Sequence, residues 1–320
     1  MKKNSCTQVK NFNFLNLIRY TNIDSHHIFS IFGIIIKSRY KNKNIEQRKV
    51  SEYGLNTEER NPKIIVSLTT FPKRIKTVHI TIEQLLTQSV KPDKLILWLA
   101  EEQFPNKEND LPEDLLRLRE FGLTIGWCKD LRSYKKLLPT LKEYPKDIII
   151  TYDDDIYYEK DSIKKLYEEY LKNPKNVYTH RGVSFYVEND TIKYYSRNQE
   201  YFDWKKCAEK TVYNKLTGCG GVLYPPHSLH ADILNEEKIK QVLPTQDDVW
   251  FWAMAVLNKT PIRIVDGYSC NLPTIEDTQD CGLCKINKTN STGLTALEAM
   301  NVMVKEYPEI MDILKENKKQ

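Results

Sequence analysis

Three consecutive carboxylates, Asp153, Asp154 and Asp155, follow directly on Asp147-Ile148-Ile149-Ile150-Thr151-Tyr152. A β-branched run of that length reads as a buried strand, which sets the acids at its carboxyl end, where open α/β sheets keep their ligand crevices. Like charges so close raise one another's pKa unless a cation compensates, and a bound divalent metal is the cheapest explanation. Oxygen ligands from one or two Asp side chains, completed by water and phosphate, describe Mg²⁺ or Mn²⁺ holding a diphosphate leaving group. The plainer alternative is a polar turn capping the next helix.

A second acidic pair, Asp247-Asp248, stands at the start of a helical pattern running to Asn258. A carboxylate there suits a general base that deprotonates an acceptor hydroxyl, with an ordinary N-cap as the rival. Trp250 beside it offers an aromatic face for a ligand to stack on. In Gly218-Cys219-Gly220-Gly221-Val222-Leu223-Tyr224, read as a Gly-rich strand, Gly220 and Gly221 let backbone approach a ligand closely, or else mark a tight bend.

Other chemistries lack their fingerprints. There is no Walker A sequence, no G-x-G-x-x-G after a strand, no H-E-x-x-H and no G-x-S-x-G. The single C-x-x-C, Cys281 to Cys284, has no second Cys or His pair near it, because no histidine follows His230, so two ordinary thiols are expected. Seven cysteines without an export signal suggest a reducing cytoplasm and leave the four N-x-S/T matches without weight. Metal-assisted group transfer from a nucleotide stays in front.

The elements needed to position these groups alternate along the chain. Ile64 to Leu68 reads as a strand ending in Thr69-Thr70-Phe71-Pro72, followed by a helix with Val78, Ile82, Leu85, Leu86 and Ser89 on one face, Thr77 as its cap and Lys91-Pro92 as its stop. Strands at 94–100, 123–128 and 147–152 alternate with helices around 112–120 and 133–144. A helix from Asp161 or Ser162 ends at Asn173-Pro174, and strands follow at 177–179 and 262–265. This is an α/β chain with a mostly parallel central sheet flanked by helices. Between Gly182 and Tyr213 aromatic residues alternate, which suits hairpins and a lid around Tyr201 to Trp204, and 294–315 is a helical tail serving core, acceptor or dimer contact equally.

Composition sets the frame. With 320 residues and 40% apolar content the chain can bury a real core, and no apolar run approaches the length of a membrane span. Of the net charge of +5, the first 50 residues, with ten basic and two acidic groups, carry more than all. The remainder is slightly acidic, which argues against a nucleic-acid-binding body. Three segments follow: 1–61, with an apolar stretch from Ile28 to Ile36 and a basic cluster from Lys37 to Lys49; 62–266, the chemical body; and 267–320, a loop and helical tail. The first segment suits either an anionic membrane face or packing beside a solvated linker.

From about Lys63 to Val265 the chain resembles bacterial glycosyltransferases of the GT-A fold, a Rossmann-like plan. Four motifs in order carry the likeness: Thr69-Thr70-Phe71-Pro72-Lys73-Arg74-Ile75, the D-x-D of Asp153 to Asp155, the Gly218 to Pro226 segment, and Asp247-Asp248-Val249-Trp250-Phe251. Such enzymes build lipopolysaccharide, capsule and related surface glycans from nucleotide-diphosphate sugars, usually with Mn²⁺ or Mg²⁺, on glycan or glycolipid acceptors. The resemblance implies Thr69, Thr70 and Arg74 on the nucleotide side, Asp130 near base or ribose, and Lys135 or Lys136 meeting phosphate. It makes Asp155 the direct metal ligand, Asp153 a contact to ribose or metal, Asp154 its support, and Asp248, then Asp247, the base. Without a histidine after His230, inversion is favoured. The expected setting is the cytoplasm, at or near the inner membrane face.

Two other readings compete. A sugar-phosphate nucleotidyltransferase should carry a Gly-rich basic loop after its first strand, whereas Thr69 to Arg74 has no glycine. A non-catalytic, membrane-associated protein would use the aspartates only to bind a cation and would tolerate loss of Asp248.

Overall fold

A computed structural model describes residues 49–194, 211–265, 272–281 and 294–318, together with the backbone of four strands nearer the N-terminus. Two units divide the chain, 1–47 and 48–320. In the first, β1 (Phe12–Phe14), β2 (Ile18–Ile23), β3 (His26–Ile31) and β4 (Ile34–Arg39) pair antiparallel in sequence order. The apolar stretch from Ile28 to Ile36 is thus divided between two strands that meet at Ile31 and Ile34. The basic residues Lys41, Lys43 and Arg48 lie outside the described residues.

The second unit is built on a seven-stranded sheet. Its strands are β5 (Ile64–Thr69), β6 (Lys94–Ala100), β7 (Leu123–Cys128), β8 (Ile148–Thr151), β9 (Val177–Thr179), β13 (Val222–Tyr224) and β14 (Ile262–Ile264). Their order is β14-β9-β13-β8-β5-β6-β7, with β13 alone antiparallel to its neighbours. The expected α/β architecture is therefore present. Alternate side chains of β8 go to opposite faces, Ile149 to one core and Ile148 and Ile150 to the other, as the two-residue strand period requires.

One core packs beneath α1 (Val78–Leu86) and α4 (Ser162–Lys172), with Val78, Ile82, Leu85 and Leu166 fully buried. The other takes in Ile239 of α5 (Glu236–Val242) and surrounds α6 (Asp247–Leu257), which packs against β12 (Asn214–Leu216) and the two tail helices α7 (Ala296–Glu306) and α8 (Glu309–Lys318). Every residue of α6 from Val249 to Val256 is buried, the mark of a helix surrounded by protein. Trp250 is one of them, at 0% exposure with its indole N–H donating to the Ile233 carbonyl, so it is a core residue and no sugar platform. Between the sheet and the tail, β10 (Gly182–Glu188), β11 (Thr191–Tyr194) and β12 form a small antiparallel sheet. Tyr201, Phe202 and Trp204, the expected lid, lie outside the described residues.

Several boundaries move. The first helix ends at Leu86, before Ser89, and Thr77 makes no side-chain cap; its hydroxyl donates instead to the Arg74 carbonyl. Asp161 precedes α4 without capping it and accepts from the Ser89 hydroxyl. Residues 112–120 are a short helix, α2 (Glu113–Leu116), continued by a 3₁₀ turn, and 133–144 a 3₁₀ turn, Arg132–Lys136, followed by α3 (Leu138–Glu143). Gly218–Gly220 is a 3₁₀ turn, and only Val222–Tyr224 is strand. The tail breaks at Tyr307-Pro308, where proline cannot continue a helix. No helix among the described residues is long and apolar enough to cross a membrane.

Candidate functional site

Strand β8 stops at Thr151, and the turn after it projects the three aspartates into two separate ionic clusters. In the first, Arg74 faces Asp154 and Asp155: Nη1 lies 2.6 Å from Asp154 Oδ1 and Nη2 3.0 Å from Asp155 Oδ2. Thr70 donates its hydroxyl to Asp154 Oδ2 at 2.5 Å. Both acids are buried, and burial pushes both carboxyls up, Asp155 to about 7 with help from Asp154, although Arg74 pulls the other way. One guanidinium is too little charge for two buried carboxylates.

Lys136 holds the second cluster. Its Nζ lies 2.9 Å from Asp153 Oδ1, 2.9 Å from Asp247 Oδ2 and 3.8 Å from Asp248 Oδ1. Burial works against the ammonium, but the three carboxylates outweigh it and hold its pKa well above the ordinary value. Asp247 is buried and its carboxyl is raised by that burial, with Lys136 opposing. Its side chain is 10% exposed against 25% for Asp248, so Asp248 is the member of the pair that an acceptor can reach.

Glycines frame this cluster in an unforeseen way. A Cβ on Gly218 would lie 2.5 Å from Lys136 Nζ and 2.8 Å from Asp248 Oδ1. Gly221 has φ +98° and a Cβ there would sit 2.5 Å from the Tyr152 ring, while one on Gly220 would meet Arg181 at 2.9 Å. The need for glycine at 220 and 221 thus arises from internal packing, and Gly218 is the position against the acids. Tyr158 ties the two turns together: its hydroxyl donates to the Cys219 carbonyl at 2.9 Å and accepts from the Asp153 N–H at 3.0 Å.

A segment for which the sequence suggested no role covers the aspartates. Thr274 bridges to Ile156, the Ile275 N–H donates to the Asp155 carbonyl, and the Tyr157 N–H to the Pro273 carbonyl. The Thr278 carbonyl accepts from Arg74 Nε and Nη2, and Gln279 donates its amide to Asp155 Oδ2 at 2.8 Å. Gly218, Tyr158, Thr278 and Gln279 are the site residues missed from sequence; only Gly218 had a local signal, its place in the glycine run.

The remaining expected residues sit apart. Thr69 spends its hydroxyl on the Trp98 carbonyl at 2.8 Å. Asp130 and Lys135 pair with each other at 2.8 Å, and Gln103 donates to the second Asp130 oxygen. Lys135 is 2% exposed, so neither lysine of the pair is the solvated helix face that its charge suggests.

Among the described residues no group of three or more His, Cys, Asp or Glu side chains already surrounds a metal position. Asp153 and Asp155 nonetheless fit one. Each has one carboxylate oxygen engaged by a cationic side chain, Lys136 Nζ or Arg74 Nη2, and the other, Asp153 Oδ2 or Asp155 Oδ1, without a protein donor among the described residues. Two hard oxygens beside undercompensated buried carboxylates are the donor set that Mg²⁺ or Mn²⁺ takes.

No family model matches this chain, and no curated protein does. Among solved structures, similarity is found to a CMP:2-keto-3-deoxy-manno-octonic acid synthetase complexed with CTP, at 16% identity over 63% of this chain and 88% of that one, TM-score 0.36. The inositol-1-phosphate CTP transferase from T. maritima gives 11% identity over 76% and 96%, TM-score 0.41. A cytidylyltransferase from Leptospira borgpetersenii gives 13% over 78% and 95%, TM-score 0.39. At TM-scores this low the likeness assigns no chemistry.

Proposed function

We propose that this chain is a divalent-cation-dependent glycosyltransferase that moves a sugar from a nucleotide-diphosphate sugar to a hydroxyl of a glycan or glycolipid, with inversion, in the building of bacterial surface polysaccharide. The observation that carries the reading is the meeting of two acidic groups with different jobs: the β8 turn, with oxygens for a cation, and the start of α6, with Asp248 the more exposed of its pair.

Asp153 and Asp155 would hold the cation, and its charge would stabilise the departing diphosphate. Asp248 takes the proton from the acceptor hydroxyl, whose oxygen bonds to the anomeric carbon as the bond from that carbon to the diphosphate oxygen breaks. Asp154 fixes Arg74 and Thr70 and so shapes the loop after β5, on the nucleotide side. Asp130 is the candidate for the base or ribose end, and Lys135, paired with it at 2.8 Å, for a phosphate.

Nucleotidyl transfer from a triphosphate to a sugar phosphate is the second reading, and it is the activity named for the solved structures above. It would use the same acidic turn, but it needs cationic side chains turned toward the triphosphate. Arg74 and Lys136 both face carboxylates here.

Calorimetric titration of UDP, GDP, CDP, CMP and CTP, with and without Mn²⁺, separates the readings. Metal-dependent binding of one nucleoside diphosphate, lost in Asp155→Asn, together with sugar transfer that Asp248→Asn removes while sparing binding, is the expected result. Preferential CTP binding with pyrophosphate release would move the assignment to nucleotidyl transfer. Wild-type turnover in Asp248→Asn would remove its role as base.

A further inference from the structure

A lysine that grips a phosphate presents its ammonium to the ligand. Lys136 does the reverse: it is 5% exposed, and its ammonium lies among three carboxylates, donating to Asp153 Oδ1, with Asp247 Oδ2 at 2.9 Å and Asp248 Oδ1 at 3.8 Å as ion-pair neighbours. Those carboxylates come from different elements, Asp153 from the turn after β8 and Asp247 and Asp248 from the first turn of α6. Gly218 leaves just enough room for this contact, since a Cβ there would collide with both Nζ and Asp248 Oδ1.

We infer that Lys136 is a positioning residue that clamps the helix-start acids onto the acidic turn and so holds Asp248 in line with a sugar bound there. The inference rests on the glycosyltransferase reading and gives Lys136 a role away from the phosphates. Two consequences follow with opposite signs. Asp153 is shared between the ammonium and any cation, so loss of the ammonium frees it and removes a nearby positive charge, which favours cation binding. The same loss leaves Asp247 and Asp248 repelled by Asp153, and the base drifts from its place. A lysine that merely supported the fold would lower both quantities together.

The test uses the full chain. Free Mn²⁺ is followed by electron paramagnetic resonance during titration, and sugar transfer is measured under steady state, in wild type, Lys136→Met and Lys136→Gln. Gln keeps two N–H donors and much of the volume while losing the charge, so it serves if Met is poorly folded by its melting curve. The expected result is Mn²⁺ bound several-fold (about 3- to 10-fold) more tightly for lack of a competing charge. Beside this, kcat falls about 100-fold with the donor KM within about threefold, the size of effect that displacing a general base produces. A folded variant with kcat within threefold of wild type, or with Mn²⁺ affinity and kcat falling together, would overturn the inference while leaving the enzyme reading intact. A wild-type protein that transfers no sugar overturns that reading first, and the inference with it.

Discussion

Replacing Arg74 by Met tests whether the first ionic cluster holds the site together. The guanidinium lies 2.6 Å from Asp154 and 3.0 Å from Asp155, and its Nε and Nη2 also donate to the Thr278 carbonyl at 3.2 and 3.0 Å. All three side chains are within 11% of full burial, so the arithmetic of surface ion pairs does not apply. Removing one partner of a buried pair costs about 3–5 kcal/mol, because the other charge is left without compensation. Two carboxylates are stranded here, and the high carboxyl pKa of Asp155 lets it relieve the strain by taking a proton, so the estimate stays within that range. For a body of this size each kcal/mol moves the melting temperature by about 2–4 °C, which gives a fall of roughly 6–20 °C. Urea and thermal unfolding at pH 8, without metal, measure it. Arg74→Met/Asp154→Asn removes one stranded charge and should recover part of the loss, giving a coupling energy from the cycle. Added Mn²⁺ should raise the melting temperature more in Arg74→Met than in wild type, since a second cation replaces the lost charge. A loss under 1 kcal/mol, or a double variant no better than the single, would refute the reasoning.

Two more outcomes are expected. Gly218→Ala forces its Cβ against Lys136 and Asp248, so sugar transfer should fall at least about tenfold while circular dichroism stays native; unchanged turnover would show that the glycine is dispensable. Burial pushes the thiols of Cys128 and Cys219 up to about 11, so at pH 8 roughly one in a thousand is thiolate against about one in four for an ordinary thiol. Iodoacetamide labelling followed by peptide mass spectrometry should find both at least about 100-fold slower than free cysteine, and comparable rates would contradict the burial.

The central parallel strands were legible because strands covered on both faces are nearly continuous apolar runs, as in residues 95–100 and 148–150, all of them buried. The acidic turn was legible for a related reason: charges directly after such a strand need a purpose. Trp250 was misread because proximity to Asp248 in sequence was taken for proximity to its ligand, although the run from Val249 to Val256 has no polar face to turn toward solvent. The burial of Lys136 could not be read locally, since its partners lie in other elements, and for Lys135, whose partner Asp130 is only five residues away, lysine type alone says exposed. Residues 272–280 carry neither period nor motif, and their role comes from contacts with distant residues, through backbone and through the Gln279 side chain.

That last segment bears on how the protein is made. Arg74 and Thr278 are 204 positions apart, and Asp155 and Gln279 are 124 apart. At about 5–20 residues per second, a ribosome needs roughly 6–25 s after adding Asp155 before Gln279 exists to cover it. Through that interval the nascent sheet carries a cluster of acids with no cover, and contacts of such long range also slow closure once the chain is complete. Completion of the acidic turn is therefore paced by translation of the last third of the chain, which supplies β13 and β14 of the sheet as well as the segment that covers the acids.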